Sequence, residues 1–365
     1  MMHRLIFFLF VLSAFLPVRA QNGKDGSAQL TAMGTYSESD FYTPRKVENK
    51  AKSDKVKKAQ LPDGSSVASS RSQSMLPIPV SVFRKDGTFV TGLGAKDFKI
   101  FVDNAETEIL SVNVPEGPLH VVLLFDVSPS AEEQFKSMKE LGEAFVAKLQ
   151  PNDTVLVASF GYKLKILSPF TDDRALIKKA IQRLEIEDGT SIYEAVSEIF
   201  ERDLNSIAGR TAVIIFTDGV DTTSRKADYE SSLVNVEKTN ISVIPIYYDT
   251  YSEMLKKQQK LPRDIFSNFP VQVRGKFVGL NKDEYVLGQN YLSDLFKLSG
   301  GRPIPVADLI KGKTTMFDLI PTELRSKYYI TIKSPSAGKP GSRHSVKVRV
   351  SQPNLTIFAK GSYLE

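Results

Sequence analysis

The chain contains no cysteine, so neither a disulfide nor a thiolate metal site can form, and lipid attachment through a thiol is excluded. Histidine is scarce: His3, His120 and His344 are the whole supply in 365 residues. His120 opens a buried-looking apolar run and His344 sits in a polar turn, so both read as structural, and a zinc cluster or a histidine-based triad has almost no material. Long apolar runs are missing too. The longest lies between Leu5 and Leu16, too short to span a bilayer, and no later segment is apolar enough to do so. It follows His3 and Arg4 and precedes Val18-Arg-Ala20, which is the pattern of a secretory signal peptide over residues 1–20. The expected product is exported, to the periplasm or beyond the cell, and relies on core size rather than cross-links.

The net charge of +6 does not describe a basic folded surface. Loss of Arg4 and Arg19 with the leader would leave +4, and residues 45–60 carry seven bases against two acids, so the remainder is close to neutral at −1. Residues 21–75 therefore read as a disordered, basic linker, solvated and without an aromatic platform. Nucleic-acid binding is not expected, and the linker leaves room for loose attraction to anionic lipid or polysaccharide of the envelope.

Short alternating runs at 76–84, 88–93, 97–103 and 105–114 read as strands, divided by turn residues such as Asp103-Asn104. After Gly117-Pro118 the pattern changes. Continuous apolar runs at His120–Asp126, Thr154–Phe160, 211–217 and Ile241–Tyr248 read as strands covered on both faces. Helical spacing predicts helices at 131–149, 172–184, 191–203, 228–239, 290–299 and 308–325, with an antiparallel edge strand at Leu164–Pro169 and a short strand at Arg302–Val306. The stretch between Tyr248 and Asn290 has no clean period and suggests a small hairpin around Phe277-Val278 and Tyr285-Val-Leu287. Strand patterning returns at Lys327–Lys333, Ser345–Ser351 and Leu355–Lys360. The expected architecture is an α/β doubly wound, mostly parallel sheet over 118–326, inserted in a smaller all-β sandwich made of 76–117 and 327–365.

Five residues carry the functional signal: Asp126, Ser128, Ser130, Thr190 and Asp218. The first three form Asp126-Val-Ser-Pro-Ser130 at the carboxyl end of an apolar run, Asp218 ends another, and Thr190 follows Asp188-Gly189 at the start of a helix. Two carboxylates and three hydroxyls, without imidazole or thiol, suit a hard divalent cation: magnesium, or another such as manganese or calcium. In a doubly wound sheet such residues lie where ligands bind, beyond the carboxyl ends of the strands at the switch in strand order.

This order of residues resembles the metal-ion-dependent adhesion site of von Willebrand factor type A domains. Ser191-Ile-Tyr-Glu-Ala195 and Phe216-Thr-Asp-Gly-Val-Asp221 share that family's style. Val90-Thr-Gly-Leu93, Glu323-Leu-Arg-Ser-Lys-Tyr-Tyr329 and Gly361-Ser-Tyr363 resemble a bacterial exported subfamily built around the domain. The resemblance implies a non-enzymatic, cation-dependent protein-binding module whose five residues hold the metal and whose partner offers a Glu or Asp. Two departures stand out: Pro129 occupies a position where glycine is common, and the stretch 249–289 exceeds the usual connection. Asp221, close to Asp218, reads either as a supporting acceptor or as a solvated loop acid. The alternatives are a metal-independent structural envelope module and a metal-dependent hydrolase, for which no general base is evident beside the site.

Overall fold

The computed structural model describes residues 75–364 apart from 203, 205–206, 208–209, 254, 256–271, 274–275, 278–281, 303, 306–318 and 335–340. The leader expected at 1–20 and nearly all of the linker expected at 21–75 therefore lie outside the described residues, as does most of the helix expected at 308–325.

A six-stranded sheet forms the centre of the α/β unit. Its strands are β5 (Leu119–Asp126), β6 (Thr154–Phe160), β7 (Leu164–Thr171), β8 (Arg210–Thr217), β9 (Ser242–Tyr247) and β12 (Ile304–Pro305), in the order β12-β9-β8-β5-β6-β7. All pairs are parallel except β6 with β7, so β7 is an antiparallel edge. Side-chain alternation along β5 explains why the run is apolar throughout. Leu119, Val121, Leu123 and Phe125 enter one core with helices α1 (Phe135–Ala147), α2 (Arg174–Gln182) and α6 (Ile320–Ser326). Val122 and Leu124 enter the opposite core with α3 (Ile192–Phe200), α4 (Tyr229–Glu237) and α5 (Lys282–Ser299). Phe125 stacks on Phe216 of the neighbouring strand at 4.6 Å, tying β5 to β8 just below their carboxyl ends.

The helices begin where polar side chains satisfy free backbone N–H groups. Asp173 accepts from Ala175 and Leu176 at the start of α2, and Asp228 forms a capping box with Ser231 at the start of α4. Helix α5 starts earlier than its expected bound at residue 290 and absorbs Tyr285, Val286 and Leu287, which were expected in a hairpin. The hairpin lies upstream, pairing β10 (Gln272–Val273) with β11 (Lys276–Phe277). The helix buries Tyr285, Gly288, Tyr291, Leu292 and Leu295, a helical period whose signal Gly288 and the adjacent β-forming residues disguise.

Outside this unit, two four-stranded antiparallel sheets face one another. One has the order β15-β1-β13-β4, from Leu355–Ala359, Met75–Arg84, Tyr328–Lys333 and Ile109–Asn113. The other has the order β16-β14-β2-β3, from Ser362–Leu364, Arg343–Val350, Phe98–Val102 and Ala105–Thr107. Each sheet mixes strands from before and after the α/β unit, and Ile78, Val80, Val82, Ile330 and Ile332 meet Phe98, Ile100 and Val102 in one core. The fold class is therefore a mostly parallel α/β sheet joined to an all-β sandwich. Two local expectations differ. Residues 88–93 form no strand, only a bridge from Phe83 to Phe89, because the segment folds inward to bury Val90 and Leu93. The run 105–114 divides into β3 and β4, which belong to different sheets. Asp103 and Asn104 take positive φ values of 48° and 68°, the hairpin conformation that joins β2 to β3.

Candidate functional site

The chain runs from β5 through α1 to β6 on one side of β5, then returns to place β8 on the other. The crevice between β5 and β8 is the switch in strand order, and Asp126 and Asp218 sit at its two lips. Both carboxylates are almost wholly buried. Each is held in the same manner. The backbone N–H two residues on donates to one oxygen: Ser128 to Asp126 Oδ1 at 2.9 Å, and Val220 to Asp218 Oδ1 at 3.0 Å. A threonine from the end of the next strand over donates to the other oxygen. Thr217 of β8 reaches Asp126 Oδ2 at 2.7 Å, and Thr250, beyond β9, reaches Asp218 Oδ2 at 2.7 Å.

The two serines close the gap. Ser128 Oγ and Ser130 Oγ lie 3.1 Å apart, and Ser130 Oγ donates to Asp218 Oδ2 at 3.1 Å. Pro129 suits this loop: it begins a single 3-10 turn, Pro129–Ala131, with Ser128 in extended conformation before it. Its fixed φ and missing N–H fit that first position, so proline takes the place of glycine without strain.

Asp126, Ser128, Ser130 and Asp218 are thus joined in one hydrogen-bonded group. Thr190 stands in the adjacent loop. Its backbone N–H donates to Thr222 Oγ1 at 3.1 Å, and its carbonyl accepts from Thr222 N and Thr223 N at 2.8 and 3.1 Å. Among the described residues no hydrogen bond joins its hydroxyl to the other four. The loop is nevertheless tied to the exit of β5, where Glu187 N donates to Val127 O at 2.7 Å. Gly189 allows this path with φ +75°, and a Cβ there would meet Thr223 Oγ1 at 2.9 Å.

Asp221 belongs to a different task. It accepts from Tyr193 N at 3.2 Å, near the start of α3, and from Ser224 N and Oγ at 3.1 and 2.5 Å. It caps a helix and a turn rather than supporting Asp218.

Burial, reinforced by the charge of Asp218, pushes the Asp126 carboxyl up to about 7 from its ordinary 3.8. Burial raises Asp218 as well, against the hydrogen bonds from Thr250, Val220 and Ser130, which favour its ionised form. No lysine, arginine or histidine among the described residues bonds either group. Nor do the described residues bring together three or more carboxylate, imidazole or thiol side chains in a group that could hold a metal ion. The donors that converge here are oxygen alone, which fits a hard divalent cation and not a soft one.

Thr217, Thr250 and Gln134 were not singled out from the sequence. A trace of Thr217 was there: it is a polar residue ending the apolar run Ala212-Val-Ile-Ile-Phe216. Thr250 carries no such mark, because its relation to Asp218 depends on β9 lying beside β8.

With this geometry in place, sequence comparison agrees with the fold. Residues 121–220 match the family model described as von Willebrand factor type A domain. The chain carries a von Willebrand factor type A domain, and the matched segment contains all five residues of the candidate site. No curated protein matches the chain. Among solved structures it is similar to an aerotolerance-related membrane protein from Bacteroides fragilis NCTC 9343, with 18% identity, a TM-score of 0.41 and coverage of 56% of this chain and 98% of that one. It is similar to von Willebrand factor type A from Catenulispora acidiphila, with 12% identity, a TM-score of 0.42 and coverage of 80% and 74%. The vWF domain of the type V pili tip protein Mfa5 from Porphyromonas gingivalis shows 15% identity, a TM-score of 0.33 and coverage of 57% and 96%.

Proposed function

We propose that this chain is an exported, non-enzymatic adhesion or assembly module of the cell envelope. In this reading it holds a divalent cation, magnesium in the first instance or else manganese or calcium, and binds a protein partner through that partner's Glu or Asp side chain. Asp126, Ser128, Ser130, Thr190 and Asp218 would hold the cation. When bound, it would supply an electrophilic centre for a carboxylate oxygen.

The observation that carries this reading is the pairing of two buried carboxylates across the β5–β8 crevice, bridged by serine hydroxyls and bonded by no basic side chain among the described residues. Buried charges of like sign are costly unless neutralised, and a cation neutralises both at once. The non-enzymatic reading has its own support. Both oxygens of each aspartate already accept a hydrogen bond from the frame, which holds the carboxylates in place as fixed anchors. Export is supported by the leader pattern at 1–20, and among the described residues no helix is long and apolar enough to cross a membrane.

Calorimetric titration with MgCl2 tests the proposal. Wild-type protein is expected to take up one cation, and Asp126→Ala and Asp218→Ala to take up none. A glutamate-bearing partner should then bind only the loaded wild type. Absence of binding heat at millimolar magnesium, or partner binding that ignores both chelation and Asp126→Ala, would overturn it.

A further inference from the structure

We infer that Thr250 is a positioning residue of the candidate cation site, and that the helical turn at 250–253 clamps the site from the side of β9. This rests on the cation reading above and adds an element to it that lies outside the five residues.

Asp218 Oδ2 has two donors, Ser130 Oγ at 3.1 Å and Thr250 Oγ1 at 2.7 Å, and the threonine is the closer. Thr250 is buried, and its own N–H donates to Tyr248 O at 3.1 Å, so the hydroxyl is delivered from a fixed backbone. With Val220 N on the opposite oxygen, the Thr250 bond sets the plane of the Asp218 carboxylate. It plays toward Asp218 the part that Thr217 plays toward Asp126, one strand further along the sheet.

The same turn touches the other wall of the site. Glu253, three residues on and so on the same helical face, accepts a hydrogen bond from Gln134 Nε2. Gln134 stands at the entry to α1, directly after the Ser128–Ser130 loop, and its N–H donates to Ala131 O at 3.1 Å. Gln134 is buried, and its Oε1 has no hydrogen-bond partner among the described residues. One helical turn thus grips the Asp218 carboxylate with its first residue and the serine-loop helix with its last. A cation drawn in between Asp126, the serines and Asp218 meets oxygens already held at their spacing, so less ordering remains to be done on binding.

The test is binding of Mn2+ alone, read from the loss of the free-ion electron paramagnetic resonance signal, with folding checked by thermal melts. Thr250→Val keeps the shape and removes the donor; it is expected to weaken Mn2+ binding about tenfold, the scale of one hydrogen bond to a charged group. Thr250→Ser restores the donor and should bind within about threefold of wild type, a rescue that packing alone would not produce. Should the valine variant not fold, Thr250→Ala carries the same prediction. Thr250→Val or Thr250→Ala binding Mn2+ as tightly as wild type overturns the inference, and so does a serine variant as weak as they are. If those outcomes occur while Asp126→Ala still abolishes binding, the cation reading survives alone. If wild type itself binds no Mn2+, both fall.

Discussion

Asp126 shows how the point at which a strand ends sets the surroundings of its last residue. Within β5 an ionised side chain would be intolerable; at the last position it meets the Ser128 N–H, the Thr217 hydroxyl and a second carboxylate. Burial and the charge of Asp218 hold Asp126 above its ordinary value, so the cation-free folded protein keeps its proton better than the unfolded chain does. The sign follows. Stability from this group is fully present below about pH 3.8, the unfolded value, and is lost as pH rises through about 7. A bound cation removes that penalty and displaces the proton. The increase in melting temperature caused by magnesium is therefore expected to grow between pH 5 and pH 8, and to shrink sharply in Asp126→Asn. Melts at fixed magnesium across that range read it directly. An increase that is flat with pH would show that Asp126 carries no proton to displace.

At the scale of elements, the junction between the two β sheets and the α/β unit is made by charged side chains meeting helix ends. Glu237, at the end of α4, is wholly buried and accepts from Arg343 Nε at 3.0 and 2.9 Å, as well as from Ser362 Oγ. Lys360 donates to the carbonyls of Glu237 and Thr239 at 2.5 and 2.7 Å, satisfying the free acceptors that close that helix. Lys327 does the same after α5, reaching Gly300 O at 2.7 Å and Ser242 Oγ at 2.6 Å, and burial lowers it to about 8. Glu237→Ala removes the carboxylate that Arg343 and Ser362 bond, while Lys360 keeps its two backbone carbonyls. It should cost about 1–3 kcal/mol in urea unfolding, the range for leaving a buried hydrogen-bonding group, here the Ser362 hydroxyl, without its partner. A loss below about 1 kcal/mol would place Glu237 among surface pairs in effect.

The elements also show what was legible beforehand. Strands β5, β6, β8 and β9 were readable nearly to the residue, because a strand buried on both faces reads as a near-continuous apolar run. The same logic marked Asp126 and Asp218, since a carboxylate ending such a run needs a reason. Helix α5 begins where Tyr285 and Val286 favour a strand locally, and only packing against β9 and α4 decides for helix. Strands β3 and β4 were merged because the break between them is a change of sheet, which local pattern does not record. Thr250 was missed for a related reason: its partner is set by strand order, and no spacing along the chain predicts that.

Across the whole molecule, strands from both ends of the described chain share one core, so the sandwich closes only after the α/β unit between them has been traversed. Arg210 donates to Arg325 O at 2.8 Å and to Gly117 O at 2.5 Å, joining the points where the chain enters and leaves that unit. Arg325 in turn pairs with buried Asp153. With these ties the two parts should unfold as one: residues 75–365 are expected to give a single urea transition, coincident by fluorescence and far-UV circular dichroism. Two separated transitions would mean that the junction does not couple them.

Most of these expectations depend on the proposed divalent cation in the β5–β8 crevice. Anomalous diffraction from crystals grown with MnCl2 addresses it most directly. One strong peak is expected, bounded by Asp126, Ser128, Ser130, Thr190 and Asp218 and absent from Asp126→Ala crystals. A crevice without a peak in fully soaked wild-type crystals would contradict it.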